Sequence, residues 1–127
     1  HEFSVFKELK EKGLLHKSFG IPDFVSENNF EEHREQVMEG IKFVLDNKEG
    51  YDMIVLDEIN VACALGVINP KDAISLIESL NCPSKVIIAT GRGAPKELEE
   101  ISDMVSRIQE VKHPYTKGEG ARLGLDF

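Results

Sequence analysis

The sequence predicts an α/β fold, with helices layered on a mostly parallel sheet. Residues 53–56 and 85–89 are short, largely apolar runs of strand length. Such runs suit strands covered on both faces. A helical pattern lies between them, so pairing within one sheet is parallel and needs a crossover. Both runs end in polar loops, Asp57-Glu58 and Thr90-Gly91-Arg92. In open α/β sheets ligands bind beyond the carboxyl ends of the strands, so both loops belong to one rim.

The elements follow in order. Glu2 to Lys12 reads as a helix with Val5, Phe6 and Leu9 on one face and Gly13 as its stop. Leu14 to Phe19 is expected as a short strand. Gly20-Ile21-Pro22-Asp23 is a loop by composition. A long helix runs from about Asn28 to Asn47. Phe30, Val37, Met38, Ile41, Val44 and Leu45 form its apolar stripe, and Glu31, Glu32, Arg34, Glu35 and Lys42 its wet side. Met53 to Leu56 is the first buried strand. Asn60 to Leu65 is helical and stops at Gly66. Asn69 caps a helix that Pro70 opens and Leu80 closes, with Ala73, Ile74, Ile77 and Leu80 inward. Lys85 to Ala89 is the second buried strand. Pro95 begins a short helix through Ile101, whose Glu97, Glu99 and Glu100 form a solvated face. Met104 to Val111 is expected as a further strand. The tail, with Pro114, Gly118, Gly120 and Gly124, is irregular.

Length bounds these 127 residues to a single domain, 1–127, large enough for a hydrophobic core. The apolar share of 41% and charged share of 30% are those of a soluble globular protein. A net charge of −8 argues against nucleic acid or an anionic membrane as the main partner. No apolar run reaches membrane-spanning length, and the N-terminus lacks a signal-peptide pattern. Cys63 and Cys82 lack metal-ligand spacing and read as reduced thiols of a cytoplasmic protein. His1, His16 and His33 have no partners at ligand spacing, so no zinc site is expected.

Met53-Ile54-Val55-Leu56-Asp57-Glu58 has the shape of a Walker B strand. Two adjacent carboxylates suit Mg²⁺ bound to phosphates. Asp57 suits equally well as the cap of the following helix. In Thr90-Gly91-Arg92-Gly93 the glycines admit close backbone N–H groups, and Arg92 offers a planar fork to phosphate oxygens. The plainer alternative is a turn with an exposed arginine; the shared rim favours the anion site. Lys112-His113-Pro114-Tyr115 groups a cation, an acid/base and an aromatic, or simply ends a strand at a proline. Phe24 either anchors its loop to the core or lines a pocket for a flat apolar ligand. No G-x-x-x-x-G-K-[ST] phosphate loop occurs in the chain.

Four spaced motifs now stand together: residues 53–62, 90–95, 111–115 and the closing Gly-Ala-Arg-Leu-Gly-Leu-Asp-Phe at 120–127. In this order they resemble the P-loop type ATP:cob(I)alamin, or corrinoid, adenosyltransferases of cobalamin biosynthesis and salvage. The resemblance runs from about residue 27 to the end. It implies a RecA-like P-loop fold and transfer of the 5′-deoxyadenosyl group of ATP to the cobalt(I) of a corrinoid, releasing triphosphate. Cobalt(I) is the nucleophile, so no side-chain nucleophile is implied. The resemblance places Asp57 and Glu58 at Mg²⁺, with Glu58 the favoured ligand. It places Thr90 and Arg92 facing the nucleotide phosphates or the reacting ligands, with Gly91 in the same nucleotide-binding loop, and Phe24 in the region that covers the corrinoid and displaces its lower axial ligand. A homodimer is implied as well.

The departures are specific. The family's phosphate-loop strand and its Lys and Thr ligands precede the matching region, and this chain has no such segment. Many members carry a tryptophan near the loop phenylalanine; here Trp is absent, and Ser26 or a neighbour takes that place. In the implied sheet the missing strand lies between 85–89 and 104–111. Without it both strands lose a ladder partner, and unpaired buried backbone groups are costly. The expectation is therefore a piece of a longer protein, direct pairing of those two strands, or a strand borrowed from another copy. Two other functional classes stay in view: a non-catalytic corrinoid- or protein-binding domain, and an unrelated RecA-like ATPase or helicase. The acidic balance and Lys112-His113-Pro114 count against the last.

Overall fold

The structure is a computed structural model and describes residues 9–112. The chain divides into two compact units, one of Ser18–Val105 and one joining His1–Lys17 with Ser106–Phe127. In the second of these, a helical turn ends at Gly13. Its backbone has φ +93°, in the region glycine favours, and Gly13 N–H donates to Lys10 O at 3.1 Å. The stop is where the sequence put it; the rest of that predicted helix lies outside the described residues.

The larger unit contains α1 (Phe30–Asn47), a 3₁₀ turn (Lys48–Gly50), β1 (Met53–Leu56), α2 (Ile59–Ala64), α3 (Pro70–Leu80), β2 (Val86–Ala89) and α4 (Lys96–Ile101). β1 and β2 pair in parallel, Met53 opposite Val86 and Leu56 opposite Ala89. The parallel α/β arrangement is as predicted. Among the described residues the sheet has these two strands.

Two other predicted strands are absent. Leu14 to Phe19 and Met104 to Val111 are irregular. Met104, Ile108 and Val111 stand 83%, 98% and 91% exposed. A β-rich pattern makes a strand only when a neighbour supplies the ladder, and neither segment has one among the described residues.

α3 forms for the reasons read from its sequence. Asn69 Oδ1 accepts the Lys71 backbone N–H at 2.9 Å, and Pro70 occupies a position whose N–H would have no partner. Ala73, Leu76 and Leu80 are buried. Leu56, Leu76 and Leu80 form one cluster; Cys63, Ile68, Ala73 and Leu98 form a second. Ile41, Ile59 and Ile77 pack against both. A leucine as enclosed as Leu80, 1% exposed, contributes roughly 1.5–3 kcal/mol through burial. Lys85 does not join the ladder. Its Nζ donates to Lys48 O and Tyr51 O, both at 2.8 Å, tying the start of β2 to the 3₁₀ turn and the residue that follows it.

Two burial expectations are corrected. The stripe of α1 is narrower than predicted: Val37, Ile41 and Val44 pack inward, whereas Met38 and Leu45 are exposed. Among the described residues the strands are covered on one face. Ile54, Leu56 and Ile87 meet the helices, while Met53, Val55, Val86 and Ile88 are exposed on the other side. Period-two alternation puts neighbouring side chains on opposite faces, and the helices of this unit cover one of them.

Candidate functional site

The parallel register builds the candidate site. With Leu56 opposite Ala89, the next residues, Asp57 and Thr90, emerge side by side. Thr90 N–H donates to Leu56 O at 3.2 Å and carries the ladder one step further. The Thr90 hydroxyl donates to Asp57 Oδ1 at 2.6 Å and accepts the Glu58 backbone N–H at 3.0 Å. One side chain thus holds both residues of the acidic pair.

Asp57 is therefore not the cap of α2. Glu58 occupies that position, with φ 59° and ψ 16°, and makes no side-chain capping bond. It is the one non-glycine residue with positive φ among the described residues. Left-handed backbone costs an ordinary side chain about 1–2 kcal/mol. Such strain persists only where the surroundings hold it, and here the Thr90 hydroxyl and the first turn of α2 do so. Asp57 and Glu58 are both exposed.

The loop after β2 packs onto the same turn. Gly91 has φ +114°, and a Cβ there would lie 3.2 Å from Glu58 Cα and from Val61 N. At Gly93, with φ +72°, a Cβ would come within 2.9 Å of Ala64 Cβ. The glycines serve the close seating of the loop on α2. The Arg92 side chain between them is exposed, and no described residue holds its guanidinium.

Asn60, which the sequence reading passed over as part of a helix, closes the arrangement. Its backbone N–H donates to Thr90 O at 3.1 Å and its Nδ2 to Gly91 O at 3.3 Å. It is 7% exposed, the one buried polar residue of the described core, and its Oδ1 is buried with no partner among the described residues. Leaving such an acceptor unpaired costs about 1–3 kcal/mol. The available signal was an asparagine within the apolar spacing of Ile59, Ala62 and Cys63.

Phe24 stands in a separate loop. Its ring is 97% exposed, so it does not anchor the loop to the core. Asn29 organises that loop. Its Oδ1 accepts from Ser26 N–H at 2.7 Å and Ser26 Oγ at 2.9 Å, and its Nδ2 donates to Phe24 O at 2.9 Å. Lys112 is exposed; His113, Pro114, Tyr115 and residues 120–127 lie outside the described residues.

Both cysteines are free, as read from the sequence. Burial pushes the Cys63 thiol up. The Ser84 hydroxyl, 3.3 Å from Cys82 Sγ, holds that thiol below its usual range, and Lys85 adds a smaller effect. No described helix is long and apolar enough to cross a membrane.

The rim can present hard oxygen donors from two adjacent residues. Mg²⁺ binds through one or two carboxylates plus substrate phosphates, which fits this donor set.

Comparison with known proteins bears on the whole chain. The family described as ATP:corrinoid adenosyltransferase BtuR/CobO/CobP matches residues 1–127. A corrinoid adenosyltransferase of Sinorhizobium sp. is 30% identical over 79 residues, 62% of this chain and 37% of that protein. The corrinoid adenosyltransferase CobA of Salmonella typhimurium is 34% identical over 76 residues, 60% of this chain and 38% of its own length. An uncharacterized protein of Nostoc sp. is 40% identical over 65 residues, half of this chain and 17% of that protein. The chain spans less than two-fifths of the length of these relatives.

Proposed function

The chain belongs to the ATP:corrinoid adenosyltransferase BtuR/CobO/CobP family, and from that premise we propose that it carries the carboxylate rim of an enzyme that adenosylates corrinoids. The observation that carries the reading is the joined rim: Asp57 and Glu58 clasped by Thr90, beside Arg92, whose guanidinium no described residue holds, at the carboxyl ends of two parallel strands.

In the proposed reaction the cobalt(I) of a reduced corrinoid attacks C5′ of ATP. The cobalt–carbon bond forms with the electron pair of cobalt, the C5′–O bond breaks, and triphosphate leaves with that bonding pair. No protein nucleophile is needed, so the side chains orient the reactants and balance charge. Asp57 and Glu58 would hold Mg²⁺, which neutralises charge on the triphosphate when bound. Arg92 pairs with phosphate oxygens as a planar donor. Thr90 holds Asp57 rather than a phosphate, because its hydroxyl is already engaged. Phe24 lies against the corrinoid and displaces its lower axial ligand.

The fold is read as RecA-like, with further elements on the apolar outer face of β1 and β2, and the assembly as a cytoplasmic homodimer. No G-x-x-x-x-G-K-[ST] phosphate loop occurs in these 127 residues, so in this reading the triphosphate is held jointly with residues outside this chain, and the chain alone does not turn over. Spectroscopic detection of adenosylcobalamin from cob(I)alamin and MgATP tests both parts. The parent protein should form it and the 127-residue chain should not. An inactive parent sinks the reading, and an active chain sinks the joint-site claim.

A second reading draws on the exposed Phe24 and the missing phosphate loop: a corrinoid-binding domain without catalysis. Micromolar corrinoid binding by an inactive parent, in the absence of ATP, would favour it.

A further inference from the structure

We propose that Asn29 is a positioning residue that fixes the loop presenting Phe24 to the flat face of its ligand. The inference rests on the corrinoid reading of Phe24 given above.

Asn29 immediately precedes α1, where an asparagine side chain ordinarily accepts a backbone N–H of the first helical turn. It makes no such bond. Its carboxamide turns back to the loop instead, and all three of its hydrogen bonds go to Ser26 and Phe24. The usual contribution of a cap to the helix is given up for order in the loop. That order converges on the Phe24 carbonyl, while the Phe24 ring is held almost wholly in solvent. Phenylalanine has no polar atom to justify such exposure. Its ring offers dispersion and stacking to a planar apolar surface. Restraining the loop beforehand removes part of the ordering cost of binding.

Two readouts on the 127-residue chain test this, with circular dichroism confirming that each variant folds. One is equilibrium dialysis with hydroxocobalamin. The other is the rate of chymotrypsin nicking after Phe24, which needs no ligand. Asn29→Ala should raise the nicking rate and weaken hydroxocobalamin binding, each about tenfold, as expected when a small hydrogen-bond network is lost. Asn29→Asp keeps an acceptor for Ser26 and loses the donor to Phe24, so it should fall between. In a Phe24→Ala background, Asn29→Ala should cause no further loss of affinity, because Asn29 acts through Phe24. Equal weakening in both backgrounds, or an unchanged nicking rate, overturns the proposal. If Phe24→Ala weakens binding while Asn29→Ala leaves nicking unchanged, the corrinoid reading survives and the role of Asn29 does not. If Phe24→Ala leaves affinity unchanged, or the unaltered chain does not bind, the corrinoid reading fails and the proposed role falls with it.

Discussion

The hydroxyl of Thr90 donates to Asp57 Oδ1 at 2.6 Å, although the two residues are 33 positions apart in the chain. The same oxygen accepts the Glu58 backbone N–H. The acidic pair is thus held from the neighbouring strand, and its geometry depends on a residue that carries no charge.

Thr90→Val keeps the shape of the side chain and removes the hydroxyl. A hydrogen bond to a charged group is worth about 1.5–3 kcal/mol, so kcat/KM for MgATP in the adenosylation proposed above should fall about ten- to a hundredfold. Thr90→Ser should retain most of the activity. Steady-state kinetics at varied Mg²⁺ checks this. Equal activity of Val and Ser variants would remove Thr90 from the site.

Glu58 holds a left-handed backbone that glycine adopts freely. Glu58→Gly should leave the chain as stable or raise its stability by about 0.5–1 kcal/mol, since relief of strain exceeds the entropic cost of glycine. The adenosylation proposed above should nonetheless collapse, because a carboxylate is lost. Urea unfolding and an activity assay on the same variant measure the two effects separately.

Gly93→Ala should destabilise the chain by about 1–3 kcal/mol, as a strained backbone and a crowded contact both count against it. The new Cβ would meet Ala64 Cβ at 2.9 Å. Adding Ala64→Gly removes the contact and leaves the positive φ, so it should restore only part of the loss. The midpoint of urea unfolding reports each step.

Cys82 should react with iodoacetamide far faster than buried Cys63 in the native chain. Its rate should rise with pH to a half-maximum below the ordinary thiol range, because the Ser84 hydroxyl favours the thiolate. Ser84→Ala should move that half-maximum upward. Mass spectrometry of each labelled cysteine across a pH series follows both.

The sequence by itself determined the elements that local chemistry specifies. Asn69-Pro70 starts α3 with a side-chain cap and a proline suited to the first position. The apolar run at Met53–Leu56 becomes β1 without a shift of boundary. Asp57-Glu58 and Thr90-Gly91-Arg92 share a rim because the order strand, helix, strand demands parallel pairing, and parallel pairing aligns carboxyl ends. Only the tertiary structure decided how that rim is held. The bond from Thr90 to Asp57, the two bonds from Asn60, and the seating of Gly91 and Gly93 on α2 all join residues about 30 positions apart. No local pattern encodes such contacts. The same limit explains Met104 to Val111, whose side chains suit a strand but whose backbone has no described ladder partner. It explains the outer face of β1 as well, since what covers a strand is set by its neighbours and not by its own residues.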